Sequence, residues 1–149
     1  SRWWEYDISE AFIRMLPSDI SAAIGLAQLD RLDSLQEKRR AVWERYQQAF
    51  SNIDWIHTPA DARPEERHSY FTYFIQVPHR DELANVLLDK GIYSTLRFHP
   101  LHLNGLYGSD KVLPVSETLN RTGLNIPLHP RLTDEEVQFV IDTILAAPP

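Results

Sequence analysis

The feature that most constrains the fold of this chain is a stretch without proline that follows Pro17 and continues to Phe50. Pro17 stops a helix from extending backwards. Ser18 and Asp19 are good N-cap residues, because their short side chains accept hydrogen bonds from free N–H groups. Apolar residues then recur at helical spacing. A helix over residues 19–50 would be about 48 Å long, which exceeds the width of a domain of this size, so we expect it to reach beyond its own core.

The composition is that of one globular domain. Of the 149 residues, 43% are hydrophobic and 24% are charged, which suffices for one hydrophobic core and indicates no disorder. The net charge of −6 argues against a nucleic-acid-binding surface or a basic membrane-binding face. There is no cysteine, and no apolar run approaches the roughly 20 residues needed to span a bilayer. We therefore expect a cytoplasmic domain without nucleic-acid or membrane partners.

Aromatic side chains crowd the start of the chain, where Trp3, Trp4 and Tyr6 occur close together. Terminal segments are usually polar, so an apolar start indicates a segment that packs against something. One interpretation is an arm that lies on the core of this domain. The other is that the chain is a piece of a larger protein, with residues 1–17 belonging to the missing side and the domain itself at residues 18–149.

Beyond the long helix, the sequence predicts a small α+β unit. Residues 68–77 are rich in aromatic and β-branched side chains and end at Pro78, which predicts a strand. A helix from Arg80 to Lys90 should stop at Gly91, and residues 92–98 should form the next strand. Residues 99–110 break every periodicity and predict an irregular loop, the kind of segment that often carries function.

The last part of the chain predicts two more helices around a short strand. Residues 113–121 suit a helix, and residues 124–126 suit a strand that is followed by a turn. Thr133 and Glu136 have the spacing of a capping box, so the final helix should begin there. The expected fold is therefore α+β, with a long N-terminal linker helix followed by a small antiparallel or mixed sheet covered by helices.

The densest polar cluster comprises Arg97, His99 and His102, at the end of the predicted strand 92–98. Arg97 could bind a carboxylate or phosphate through two parallel hydrogen bonds, or could be a solvated strand residue. The two histidines could ligate a metal, but no third ligand is evident, and extended spacing does not place both rings on one face. Local hydrogen bonds in a loop are the simpler interpretation, so we expect no metal site.

Other chemical motifs do not occur in the sequence. There is no nucleophile elbow, and the five glycines form neither a phosphate-binding loop nor a dinucleotide fingerprint. The carboxylates of residues 134–136 lie in the predicted first turn of a helix, where the macrodipole accounts for them. Individual residues therefore do not define a reaction.

Three segments in succession nevertheless resemble one family of enzymes. They read RMLPSDISAAIGLAQLDRLD, then HSYFTYFIQVPHRDELANVLLDKGIYSTLRFHPLH, then LNIPLHPRLTDEEVQFVIDTI. Together they resemble the C-terminal third of the DegT/StrS-type sugar aminotransferases, which are pyridoxal-phosphate enzymes of the aspartate aminotransferase fold. The resemblance covers nearly the whole chain, in the order and spacing of the family. It implies the small domain of a fold-type I enzyme, whose long helix joins it to the large domain.

The resemblance also implies what this chain lacks. The family forms its Schiff base through a lysine upstream of the segment equivalent to Ser1, and the lysines here are Lys38, Lys90 and Lys111. None of the three is in a setting that resembles the family's lysine motif. Amino-group transfer needs an amine that holds the pyridoxal aldehyde. We therefore expect this chain to have no catalytic residue, to bind no pyridoxal phosphate alone, and to be inactive alone.

Four residues acquire expected roles from the resemblance. Arg14 aligns with a family asparagine that reaches across the dimer to the cofactor phosphate, so it is a candidate cofactor-binding residue. Arg97, His99 and His102 lie in the loop where similar enzymes approach the nucleotide-sugar substrate. The implied partners are a large domain with the Schiff-base lysine, in the same gene or a separate chain, a second subunit of a homodimer, and a nucleotide-linked sugar.

Two functional hypotheses follow. In the first, the chain is the C-terminal part of a pyridoxal-phosphate-dependent aminotransferase for nucleotide-linked keto-sugars, in polysaccharide or antibiotic biosynthesis. In the second, it is a non-enzymatic domain that reuses the fold for subunit binding or regulation. The aromatic arm should dock on a missing large domain or dimer partner in the first case, and on its own domain in the second. A third reading, metal-dependent chemistry at His99 and His102, would be tested by metal analysis.

Overall fold

The computed structural model describes Glu10, residues 16–96 and residues 98–147. This part of the chain contains five α-helices and a two-stranded antiparallel sheet, so the predicted α+β class is confirmed. The helices are α1 (Asp19–Leu29), α2 (Leu32–Phe50), α3 (Arg80–Asp89), α4 (Pro114–Thr122) and α5 (Asp134–Ala146). The strands are β1 (Tyr73–Gln76) and β2 (Gly123–Ile126). None of the helices in these described ranges is both long and apolar enough to cross a bilayer.

The chain divides into two compact units, residues 1–32 and residues 33–149. The first unit contains α1, which Ser18 caps by accepting the Ser21 N–H at 3.2 Å, as the sequence predicts. No residue of α1 is buried. A boundary at residue 17 stays a prediction, because residues 1–9 and 11–15, with the aromatic arm, lie outside the described part of the chain.

The continuous helix predicted over residues 19–50 requires a correction, because it is interrupted at Asp30 and Arg31. The Asp30 N–H bonds to the Leu26 carbonyl, four residues back, at 3.1 Å. The Arg31 N–H instead bonds to the Gln28 carbonyl, three residues back, at 3.2 Å. This tighter bond ends the regular ladder. Aspartate is a poor helix former and suits the interruption at residue 30, because its short side chain competes with the backbone for hydrogen bonds.

The hydrophobic core of the second unit lies on one face of the sheet. Tyr73 is opposite Ile126 and Ile75 is opposite Leu124 in the antiparallel register, so the four side chains share this face, and all are buried. Helices α2, α3 and α5 supply the side chains that cover it, including the fully enclosed Tyr46, Phe50, Leu87, Val137 and Ile144. The core therefore forms between residues far apart in the sequence.

The strand predicted over residues 68–77 is shorter than expected and forms only at Tyr73–Gln76. Tyr70 has a left-handed backbone, with φ of 47°. Its N–H donates to His68 Nδ1 at 2.9 Å, a local bond instead of a bond to a neighbouring strand. Few non-glycine residues adopt this conformation, and it is incompatible with an extended strand. Strand pairing therefore begins only after Tyr70.

The prediction of a strand over residues 92–98 is wrong for the described residues of that segment. They contribute only a single bridge to the sheet. Thr95 and Asn125 exchange both backbone hydrogen bonds, at 3.1 and 2.8 Å, and the ladder does not continue. The Phe98 N–H donates back to the Leu96 carbonyl at 2.6 Å, and Pro100 has no N–H to offer a neighbouring strand. The segment therefore leaves the sheet after Leu96.

Signals at the ends of helices are confirmed. Thr133 Oγ1 accepts the Glu136 N–H at 3.2 Å, and Glu136 Oε2 accepts the Thr133 N–H at 2.8 Å, which completes the capping box of α5. Gly91 has a positive φ of 77° just after α3, the conformation for which glycine is favoured at a helix end. The predicted helix over residues 113–121 is α4, with Pro114 in its first turn.

Candidate functional site

The face of the sheet opposite the core borders a cavity of about 470 Å³. Phe74 and Asn125 are directly opposed in β1 and β2, so both side chains lie on this face. Helix α4 runs directly into β2 at Gly123, where a Cβ would overlap the Phe74 ring and lie 2.5 Å from the Leu119 carbonyl oxygen. Glycine at position 123 therefore lets the chain pass from α4, one wall of the cavity, directly into β2. Residues 96–101 contribute another wall, of which Arg97 is outside the described residues.

The cavity combines an apolar surface with a few polar groups. The polar lining residues are Thr72, His99, Ser116, Asn120 and Asn125. The apolar ones are Phe74, Leu96, Phe98, Pro100, Leu101 and Leu119. None of these described lining residues carries a permanent charge. Concave sites of this composition are typical of small-molecule binding, and this one suits an uncharged part of a ligand.

The structure separates the residues that the sequence grouped as one cluster. His99 lines the cavity, whereas His102 does not. Arg97 and the candidate cofactor ligand Arg14 lie outside the described residues, so their positions are not assigned. The substrate-binding roles of Arg97, His99 and His102 and the cofactor-binding role of Arg14 stay predictions.

His102 pairs instead with Glu117 of α4, a residue that the sequence did not single out. The distance from His102 Nε2 to Glu117 Oε1 is 3.2 Å, and the two side chains are 8% and 24% exposed. The same carboxylate oxygen accepts the Leu113 N–H at 2.9 Å. These two hydrogen bonds, that from Leu113 first, hold the pKa of Glu117 below its usual range. Within the described part of the chain, no three His, Cys, Asp or Glu side chains converge to bind a metal.

The His102–Glu117 pair positions two of the cavity walls. Leu101 and Ser116, the neighbours of the paired residues in the chain, both line the cavity. Because the pair is mostly buried, it fixes the 101–103 turn against the start of α4 more firmly than an exposed ion pair would. The hydrogen bond that the sequence predicted to be local to the loop therefore joins two elements, the 101–103 turn and α4.

Asn125, Asn120 and Ser116 are cavity residues that the sequence analysis missed. Asn125 is 8% exposed and is the one polar residue among the described buried positions. A signal was present in the sequence, because asparagine interrupts an otherwise apolar strand at LNI. Asn120 and Ser116 carried no such signal, since polar residues are ordinary on a short surface helix.

Comparison with known protein families gives one extended match. Residues 11–145 match the DegT/DnrJ/EryC1/StrS aminotransferase family. Among curated proteins, dTDP-4-dehydro-2,3,6-trideoxy-D-glucose 4-aminotransferase of Saccharopolyspora spinosa is 33% identical over 144 residues, which cover 95% of this chain and 37% of the relative. GDP-perosamine synthase of Escherichia coli O157:H7 is 30% identical over 135 residues, which cover 85% of this chain and 35% of that protein.

Solved structures show the same likeness. The aminotransferase TlmJ from Streptoalloteichus hindustanus superposes with a TM-score of 0.90 at 36% identity, covering 97% of this chain and 40% of that one. Spr1654 from Streptococcus pneumoniae, solved in a PLP form, gives a TM-score of 0.86 at 31% identity, with coverages of 95% and 38%. The chain thus spans about two fifths of the length of the proteins that it resembles.

Proposed function

Because the chain belongs to the DegT/DnrJ/EryC1/StrS aminotransferase family, we propose that it is the C-terminal small domain of a pyridoxal-phosphate-dependent aminotransferase that acts on a nucleotide-linked keto-sugar. The TM-score of 0.90 to TlmJ, over 97% of this chain and 40% of that one, is the observation that carries the proposal. A close match to one part of a larger enzyme supports a role as the corresponding part of such an enzyme. The complete enzyme would be a homodimer.

The lysines of this chain do not suit the cofactor. Pyridoxal phosphate supplies the electron sink for amino-group transfer, and a lysine amine must hold its aldehyde. Such a lysine is activated by desolvation or by a neighbouring cation. Lys38, Lys90 and Lys111 are all exposed. We therefore assign no catalytic step to this chain and place the required lysine in another part of the complete enzyme.

The contribution of this chain is substrate binding. The cavity between the sheet, α4 and residues 96–101 offers neutral polar and apolar groups to the uncharged part of a sugar nucleotide. Arg14 would bind the cofactor phosphate, and Arg97 the phosphates of the substrate, because guanidinium binds phosphate through paired hydrogen bonds. The relatives named for a dTDP-linked dehydro-sugar and for GDP-perosamine support a nucleotide-linked sugar as the substrate class.

The test combines this chain with the protein region encoded on its N-terminal side. The purified combination receives pyridoxal phosphate, and its visible absorption and its transfer of amino groups to a dTDP-4-keto-sugar are measured. We expect a bound-cofactor band and transfer from the combination, and neither from the 149-residue chain alone. The matched control replaces the candidate lysine of the added region with alanine, which should remove both signals.

Two outcomes would contradict the proposal. A cofactor band on the chain alone, lost when Lys38, Lys90 or Lys111 is replaced by alanine, would show that the chain carries its own Schiff-base lysine. A stable combination that binds neither cofactor nor sugar nucleotide would instead favour the non-enzymatic binding domain. Activity and cofactor binding therefore separate the two hypotheses.

A further inference from the structure

Asn125 is a buried amide in a strand that otherwise supplies apolar side chains. Its neighbours Leu124 and Ile126 point to the core, so alternation along β2 puts Asn125 on the cavity face, opposite Phe74. The residue is only 8% exposed and lines the cavity. A buried amide is costly unless its polar atoms are hydrogen-bonded, so each of its bonds matters.

The hydrogen bonds of Asn125 satisfy only one half of its amide. Nδ2 donates to the Thr95 carbonyl oxygen at 3.2 Å. Because a carbonyl oxygen can only accept, this contact fixes which amide atom is nitrogen and which is oxygen. Among the residues that the structure describes, none donates to Asn125 Oδ1. An amide oxygen accepts up to two hydrogen bonds, so Oδ1 is an acceptor available at the cavity wall.

The surroundings of this acceptor define the chemistry of its ligand. The other polar residues in the described lining of the cavity are Thr72, His99, Ser116 and Asn120, and none of them carries a permanent charge. We propose that Asn125 Oδ1 accepts a hydrogen bond from a neutral hydroxyl or N–H group on a ring of the ligand, which makes Asn125 a specificity-determining residue of the cavity. This inference rests on the proposed function, since the ligand would be the sugar nucleotide.

Such a donor group has two sources in a sugar nucleotide, the sugar hydroxyls and the base N–H. Three probes distinguish them: dTDP-glucose, methyl β-glucoside and dTMP. Each is titrated into the 149-residue chain while the side-chain amide resonance of Asn125 is followed by ¹⁵N NMR. We expect dTDP-glucose to shift this resonance. A shift with only the glucoside assigns the sugar as donor, and a shift with only dTMP assigns the base.

The decisive variant is Asn125→Leu, which keeps the number and branching of the side-chain heavy atoms and removes the acceptor, together with the Nδ2 donor to the Thr95 carbonyl. The backbone bonds between Asn125 and Thr95 do not involve the side chain, so strand pairing should persist. We expect the Kd for dTDP-glucose to rise about tenfold, the typical effect of one neutral hydrogen bond lost from a buried site. The matched control is Asn85→Leu, the same change at an exposed position of α3 away from the cavity, which should leave the Kd unchanged.

The outcomes separate this inference from the proposed function. If dTDP-glucose binds and Asn125→Leu binds it as well as Asn85→Leu does, the role of Asn125 is refuted while the proposed function stands. If the wild-type chain binds no dTDP-glucose at millimolar concentration, the role of Asn125 is refuted as well. The proposed function is then decided by the amino-transfer assay alone. Should Asn125→Leu fail to fold, the absence of any shift of the wild-type Asn125 amide resonance would refute the inference.

Discussion

Glu117 joins three segments of the chain through one oxygen atom. Its Oε1 accepts from His102 Nε2 and from the Leu113 N–H, at the start of α4. Both contacts favour the ionised carboxylate and lower its pKa in the folded protein. The stabilisation is therefore fully present above the pKa of an unfolded glutamate, about 4.3, and is lost as the pH falls through the lower folded value.

We predict that acidification below about pH 4 releases residues 101–113 from α4. Hydrogen exchange of the Leu113 amide and the imidazole resonances of His102 report the release directly. Glu117→Gln keeps an acceptor oxygen but cannot titrate, so this local transition should disappear in the variant. An acid transition at Leu113 with the same midpoint in Glu117→Gln would show that another group controls this segment.

Asp61 anchors a loop to the aromatic side of the core. Its Oδ1 accepts from Gln47 Nε2 at 2.9 Å and from Trp43 Nε1 at 3.1 Å, and both bonds lower its pKa. Trp43 is 3% exposed, so its N–H has few alternative partners. We predict that Asp61→Ala lowers the free energy of unfolding by about 1–2 kcal/mol, because a buried donor loses its acceptor. Asp61→Asn keeps that acceptor and should lose less; equal losses in urea denaturation would contradict this account.

Among the secondary-structure elements, α4 and β2 depend on a single glycine. A Cβ at position 123, where α4 passes into β2, would overlap the Phe74 ring and lie 2.5 Å from the Leu119 carbonyl oxygen, so the ring and the last turn of α4 would have to shift. We predict that Gly123→Ala lowers the free energy of unfolding by about 1–3 kcal/mol, as overpacking typically does. It should also perturb the cavity, because Phe74 and Leu119 both line it.

Gly105→Ala is the matched control for this substitution, since no atom lies within 4 Å of the position that its Cβ would occupy. Its effect should stay within about 0.5 kcal/mol. Thermal unfolding of the two variants gives the comparison. If both alanine variants unfold at the same temperature, crowding by the Phe74 ring and the Leu119 carbonyl oxygen is not what requires glycine at position 123.

For the molecule as a whole, the exposed helix α1 has the largest consequence. Ile20 and Leu26 are 76% and 65% exposed, and apolar residues occupy every side of α1. A helix that is apolar all round is ordinarily buried, so this surface indicates a contact with further protein. The resemblance interprets α1 as part of the link to a large domain, which is consistent with a chain that spans 37% of its Saccharopolyspora spinosa relative.

We predict that Ile24→Ser together with Leu26→Ser leaves the unfolding free energy within about 0.5 kcal/mol of wild type, because both side chains are exposed. The same change should reduce self-association of the isolated chain, measured by sedimentation. Leu87→Ala, a fully buried position of α3, is the contrasting control and should cost about 2–5 kcal/mol. Substantial destabilisation by the double serine variant would show that α1 contributes to folding of this chain itself.

The sequence alone determined the features that depend on nearby residues. The capping box at Thr133 and Glu136, the cap at Ser18 and the stop at Gly91 are interactions over a few residues, so their patterns could be recognised directly. The order of the motifs also identified the family. Residue patterns predicted the strands less accurately. They indicated neither the left-handed backbone at Tyr70 nor the point after Leu96 at which the chain leaves the sheet.

Only the tertiary structure decided which distant groups meet. His102 pairs with Glu117, Tyr46 donates to the Pro127 carbonyl, and Arg45 reaches Asp134 across a separation of 89 residues. No local pattern encodes such contacts, since they arise from how the elements pack around a shared core. The candidate site followed this rule. His99 was a candidate because it clusters with Arg97 and His102 and because of the family resemblance, and it lines the cavity. Asn125 became a candidate only when β1, β2 and α4 placed its amide beside that cavity.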